Sequence, residues 1–202
     1  VEPELSAQFG VSRSTVREAL RVLSSQNLVT TTRGVSGGSF VVHPGVDDIG
    51  DYLEASVGLL AGGDGLDVEQ LLEVRHLLEV PAAGLAARRR APDHLEALRA
   101  TLVDPRSATD DAVHHANVSF HPVLLEACAN PLLTVVARPL FAVMERRFVG
   151  GQDWRGVFED HARILDAVEA GDAERAEGEA AAHLERLRPT YGSSTEACAS
   201  FT

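Results

Sequence analysis

Asn117 and His121, in the stretch "NVSFH", stand four residues apart and share one face if the segment is helical. Such a pair is either half of a site that binds something or a helix edge facing water. Their neighbours Val118, Phe120, Val123, Leu124 and Leu125 read as core. Two further histidines lie in helix-like apolar stretches. His161, in "DHARILDAV", stands level with Leu165 and Val168, and His183, in "AAAHLERL", sits beside Leu184 and Leu187. An imidazole at the edge of an apolar stripe is either a satisfied boundary residue or a metal ligand. Three of them on three helices add weight to the second reading without deciding it, because helical bundles build metal sites from inward-facing residues on several helices. Spacing alone does not pair residues on different helices.

A metal held by histidines could be catalytic, and a metal-dependent hydrolase-like enzyme is the alternative to a binding role. Hydrolytic zinc sites need a general base, commonly placed by a motif such as HExxH. That motif is absent, as are G-x-S-x-G, P-loop and dinucleotide signatures. A binding role therefore ranks first, and no catalytic residue is assigned.

A second group of chemistry-bearing residues is "GVSRSTVREALRVL". Ser12, Arg13, Ser14, Thr15 and Arg17 cluster at the start of an amphipathic segment whose stripe is Val16, Ala19, Leu20 and Leu23. A short helix, "PELSAQFG", precedes it and stops at Gly10. That order is a helix-turn-helix, whose second helix puts its N-terminal end into the major groove. Arg can bond a guanine edge there, while hydroxyls and the helix N-terminus suit phosphate. The runs "LVTTTR" and "SFVVHP" flank "GVSGG" and read as a hairpin, a wing that brings Arg33 and the Gly37–Gly38 tip near the DNA backbone or minor groove.

The elements that position these residues are mostly helical. The chain has 202 residues, 45% hydrophobic but only 5% aromatic, so its core is Leu, Val and Ala, which favours helix over sheet. The net charge is −12. An acidic protein is a poor nucleic-acid binder overall, but residues 1–45 carry four Arg against three Glu and escape that objection. From about Asp47 onward helices are expected near 48–61, 67–90, 93–103, 108–128, 131–149, 154–170 and 172–188, separated by Gly, Pro and Asp/Asn breaks. Asp93 with Glu96 reads as a near capping box. Short loops between long helices imply an antiparallel all-α bundle of about six to seven helices. The domains expected are 1–45, a winged helix-turn-helix; 46–190, the bundle; and 191–202, a fraying tail. The chain opens at Val1 inside an apparent helix, so a preceding piece carrying a first helix is expected. Cys128 and Cys198 form no CxxC pair and fit a reducing, cytoplasmic setting. No apolar run reaches the roughly 18 residues of a membrane span.

The string "LSAQFGVSRSTVREALRVLSSQNLV…GGSFVV" resembles the winged helix-turn-helix of the GntR family of bacterial transcription regulators, matching over residues 4–43. The resemblance implies DNA contacts from Arg13 and Arg17, helped by Ser12, Ser14 and Thr15. Pro3 stands where many relatives carry an Arg. The stretches "LLEVRHLLEVPAAGLAA", "NVSFHPVLLEACANPLL" and "DHARILDAVEAGDAERAEGEAAAHL" are similar to the FCD effector domain of the FadR-like branch, over most of residues 67–188. That likeness implies a divalent metal, zinc or nickel, on His121, His161 and His183, with Asn117 where the family has Asp. An amide brings no charge, so metal binding would be weaker or would need an anionic ligand to complete it. The likeness also implies a small organic acid as effector, with Arg75 as the carboxylate clamp and Arg138 as a lesser candidate. The plain alternative for Arg75 is an i, i+4 ion pair with Glu79. The resulting expectation is a homodimeric repressor on near-palindromic operator DNA, released by a small carboxylate.

Overall fold

A computed structural model describes residues 2–32, 34, 37–43, 45–62, 66–147 and 154–198. The chain divides into two compact units, 1–49 and 50–202.

In the first unit, α1 (Glu2–Phe9) ends where Gly10 takes φ +65°, a conformation a side chain disfavours. Val11 N–H then donates back to the Ser6 carbonyl at 3.2 Å. The turn delivers Ser12 as the cap of α2 (Arg13–Ser25), whose buried residue is Val16. Strands β1 (Val29–Thr32) and β2 (Gly38–Val41) pair antiparallel, Val29 opposite Val41 and Thr32 opposite Gly38. The order is the helix, turn, helix and hairpin expected from the sequence.

The second unit is helical. The boundary falls within α3 (Val46–Gly62), and α4 (Val68–Arg89), α5 (Pro92–Ala100), α6 (Asp110–Ala127), α7 (Pro131–Arg147), α8 (Trp154–Ala170) and α9 (Ala173–Cys198) follow. Helix α4 is central and packs against α6, α7, α8 and α9. It can do so because Ala82, Ala83, Ala86 and Ala87 lie wholly inside, and small side chains let helices approach closely. Phe120, Leu124, Leu125, Ile164, Leu165 and Val168 fill the core around that alanine face. A second cluster joins Leu71 and Leu72 to Leu140, Val143, Met144, Val157 and Leu187. The run Arg88–Arg90 closes helix ends, as the dipole argument expects: Arg89 donates to the Cys128 carbonyl and Arg90 to that of Glu169, each at 3.1 Å. Asn130 caps α7, its Oδ1 accepting from Leu133 N–H at 3.4 Å.

Helices α5 and α9 depart most from their expected bounds. Helix α5 starts at Pro92 rather than Asp93 and ends at Ala100 rather than 103. Proline at the first helical position loses no hydrogen bond, so the cap shifts to Ala91, whose N–H donates to His94 Nδ1 at 3.0 Å. Asp93 and Glu96 do not form the capping box. Helix α9 continues to Cys198, beyond the residue 190 at which the sequence reading closed the bundle.

Candidate metal centre and DNA-reading helix

The N-terminus of α2 gathers hydroxyls. Ser12 Oγ accepts from Thr15 N–H at 3.1 Å and lies 2.7 Å from Ser14 Oγ and 2.8 Å from Thr15 Oγ1. Arg13 is exposed, and Arg17, also exposed, pairs with Glu2 at 3.3 Å. Exposed pairs of this kind are worth less than about 1 kcal/mol, so Arg17 is readily recruited elsewhere. Gly37 N–H donates to the Gly34 carbonyl at 2.9 Å within the hairpin turn. Arg33 lies outside the described residues.

In the bundle, α6, α8 and α9 each contribute one buried imidazole. His121, His161 and His183 offer ring nitrogens that all lie within 4.8 Å of one another. Their ring centroids are 4.8 to 5.3 Å apart. Phe120 stacks on His161 at 3.9 Å, and Phe141 flanks His121 at 5.3 Å, so aromatic walls fix both rings. Asn117, one turn before His121, lines a narrow cleft together with His161, Val157 and Phe158.

Two carboxylates stand behind this cluster. Glu79 on α4 reaches His121 Nδ1 through Oε2 at 2.8 Å and is gripped by Arg75, whose Nη2 donates to it at 3.2 Å. Asp160 on α8 reaches His183 Nδ1 through Oδ2 at 3.1 Å. It also accepts from Arg186 Nε at 2.8 Å and pairs with Arg163. Burial works to raise the Glu79 carboxyl, but the Arg75 guanidinium and His121 outweigh it and hold it down at about 2. Burial likewise opposes ionisation of Asp160, and hydrogen bonds from His183 and Arg186 overcome it, so its carboxyl is lowered. Burial pushes His183 down to about 4 against the pull of Asp160. Burial together with the nearby His183, His121 and Arg75 sends His161 well below the ordinary imidazole range. At neutral pH the carboxylates are therefore anions, and His161 and His183 are neutral, the form that ligates metals.

The fit to a metal rests on unsatisfied atoms. Asn117 Oδ1, His161 Nε2 and His183 Nε2 are buried without a hydrogen-bond partner among the described residues. Each such atom costs about 1–3 kcal/mol, so three in one neighbourhood call for a shared partner. A neutral imidazole keeps one lone-pair nitrogen and an amide oxygen only accepts, which is what a cation requires.

The fold thus brings together the three histidines expected from the sequence and buries the Asn117 oxygen one turn from His121. Arg75 reaches the cluster through Glu79, so its ion-pair reading is realised. Arg138 does not join them: half-exposed, it pairs with Asp51 at 3.4 Å and Glu54 at 4.0 Å on α3. Sequence reasoning missed Asp160 and the contact of Glu79 with His121. The signal for Asp160 was its place beside His161 in "EDHAR", but neighbours on a helix point about 100° apart, and Asp160 serves a histidine on another helix.

Comparison with known proteins agrees with this layout. A profile described as "Bacterial regulatory proteins, gntR family" matches residues 1–41, and one described as "FCD domain" matches residues 70–186. The chain is similar to the "HTH-type transcriptional regulator LutR" of Bacillus subtilis, at 36% identity over 89% of this chain and 84% of that protein. It is similar to the "Galactonate operon transcriptional repressor" of Escherichia coli, at 26% identity over 87% of this chain and 79% of the relative. Among solved structures, a "Streptococcus agalactiae GntR" has a like fold, with TM-score 0.55 at 24% identity, covering 94% of this chain and 87% of that one.

Proposed function

Because this chain belongs to the GntR family of bacterial transcription regulators and carries an FCD effector domain, we propose that its operator affinity is set by a small carboxylate bound at a metal on Asn117, His121, His161 and His183. Its relatives are transcription regulators, a non-enzymatic family, so the hydrolase alternative falls away. The single observation that carries the proposal is the convergence of three buried imidazoles, two of them with an orphaned Nε2, one turn from the buried and orphaned Asn117 oxygen. When bound, a zinc or nickel ion supplies the positive charge that attracts a carboxylate. Three imidazoles and an amide leave that charge uncompensated among the ligands, which suits an anionic effector. A relative named for a galactonate operon supports the acid class, since galactonate is a hydroxy-carboxylate.

The residues of this chain divide the work as follows. His121, His161 and His183 bind, and the walls of Phe120 and Phe141 keep their rings in place. Arg75 is the arginine coupled to the centre; Arg138 we assign to the pairing of α7 with α3. Arg13 and Arg17 read base edges or phosphates, with Ser12, Ser14 and Thr15 at the helix N-terminus and Arg33 and Gly37 at the wing. The regulator acts in the cytoplasm as a homodimer, each subunit reading one half of a near-palindromic operator. Repression ends when the acid binds one arrangement of the dimer better than the DNA-bound one, and the coupling is reciprocal.

The test is an operator-binding titration by fluorescence anisotropy, with zinc present, against a panel of small hydroxy acids. One acid is expected to weaken binding in the wild type and not in His161→Ala. No response to any acid, with or without metal, contradicts the proposal.

A further inference from the structure

We infer that Glu79 and Asp160 are positioning residues of the histidine centre: each holds its imidazole with the proton on Nδ1, turns Nε2 toward the shared point, and supplies negative charge that Asn117 does not. This inference rests on the metal reading above and goes beyond the ligand set.

Glu79 Oε2 lies 2.8 Å from His121 Nδ1, and Asp160 Oδ2 lies 3.1 Å from His183 Nδ1. Each carboxylate also accepts from guanidinium groups: Arg75 on Glu79, Arg163 and Arg186 on Asp160. A carboxylate so held is an anion and only accepts. The imidazole Nδ1 facing it must then donate, and a neutral ring with its proton on Nδ1 keeps its lone pair on Nε2. The unpartnered Nε2 of His183 is the atom this leaves available.

The buttress comes from outside the ligand's own helix in both cases. Glu79 on α4 serves His121 on α6, and Asp160 on α8 serves His183 on α9. Among the described residues these are the two carboxylates in contact with the three imidazoles. Arg75 and Glu79 are 2% and 4% exposed, and a buried ion pair is a weak source of stability compared with an apolar pair of like volume. Orienting a ligand gives such a pair a reason to exist, because an anionic partner on the far nitrogen raises the basicity of the near one. The same two anions lie behind a ligand set that is neutral throughout.

Two readouts test this. In metal-free wild-type protein, long-range 1H–15N spectra of the histidine side chains report the protonated nitrogen directly. His121 and His183 are expected as Nδ1–H. Cobalt(II) affinity, measured by competition with a chromophoric chelator, is expected to fall about 10- to 100-fold in Glu79→Gln and in Asp160→Asn, with a changed visible spectrum. Cobalt binding by wild type with either ring as Nε2–H, or with both variants unaltered, overturns the inference and leaves the metal reading standing. Wild-type protein that takes up no cobalt overturns the metal reading itself. Should either variant fail to fold, the wild-type tautomers decide.

Discussion

Glu79 Oε2 on α4 lies 2.8 Å from His121 Nδ1 on α6, with both residues buried and Arg75 gripping the same carboxylate. Arg75 is thus coupled to the histidine centre through Glu79. Removing one partner leaves a buried charge, which costs far more than removing both. Arg75→Ala is expected to destabilise the bundle by about 3–5 kcal/mol, and Arg75→Met with Glu79→Leu by less, since there the loss is that of the His121 Nδ1 partner, about 1–3 kcal/mol. Urea denaturation checks this; equal losses in the two variants contradict it.

Arg17 is held by Glu2 at 3.3 Å and Arg21 by Glu18 at 3.2 Å, both pairs exposed. Replacing Arg13 and Arg17 by Ala is expected to cost about 1–3 kcal/mol per lost base contact, while Arg21→Ala changes affinity far less. Anisotropy with an operator fragment at fixed salt measures the difference. Binding that persists unchanged in the double variant contradicts the assignment of those two residues.

The DNA-reading segment was legible because its information is local: Ser12 capping α2, the stop at Gly10 and the hairpin are all properties of adjacent residues. The helices of the bundle were legible for the same reason, from Gly and Pro breaks and apolar periodicity. His121, His161 and His183 were legible as candidates but not as a cluster, since their union depends on how α6, α8 and α9 pack. Asp160 stayed hidden because its partner is a histidine on a different helix from its sequence neighbour. Asp93 misled because Pro92 takes the first helical position and moves the cap two residues back, to Ala91.

Asn117 carries a buried oxygen without a partner. Asn117→Asp places a carboxylate there, costly when unpaired and favourable beside a cation. The variant is expected to be less stable than wild type without metal and to bind zinc at least about tenfold more tightly. Thermal melts with and without zinc read both effects. A variant whose zinc affinity is no higher contradicts the place given to Asn117.

Burial depresses His183 to about 4 and holds His161 well below the ordinary imidazole range. In the unfolded chain both take up a proton near pH 6.5, above the folded values. The unfolded state therefore binds more protons between these limits, and stability falls as pH drops from about 6.5 toward about 4. Chelator-treated protein is expected to show this loss in urea midpoints. His183→Gln, which cannot titrate, is expected to show a shallower slope, and an unchanged slope contradicts the account.

On the proposed reading, His121, His161 and His183 together hold a divalent ion. Equilibrium dialysis against zinc and nickel, with and without small organic acids, followed by elemental analysis, measures it directly. The expected result is one ion per chain, lost in His161→Ala and His183→Ala. No bound ion under any of these conditions contradicts the claim, while the reading of the DNA-binding helix stands.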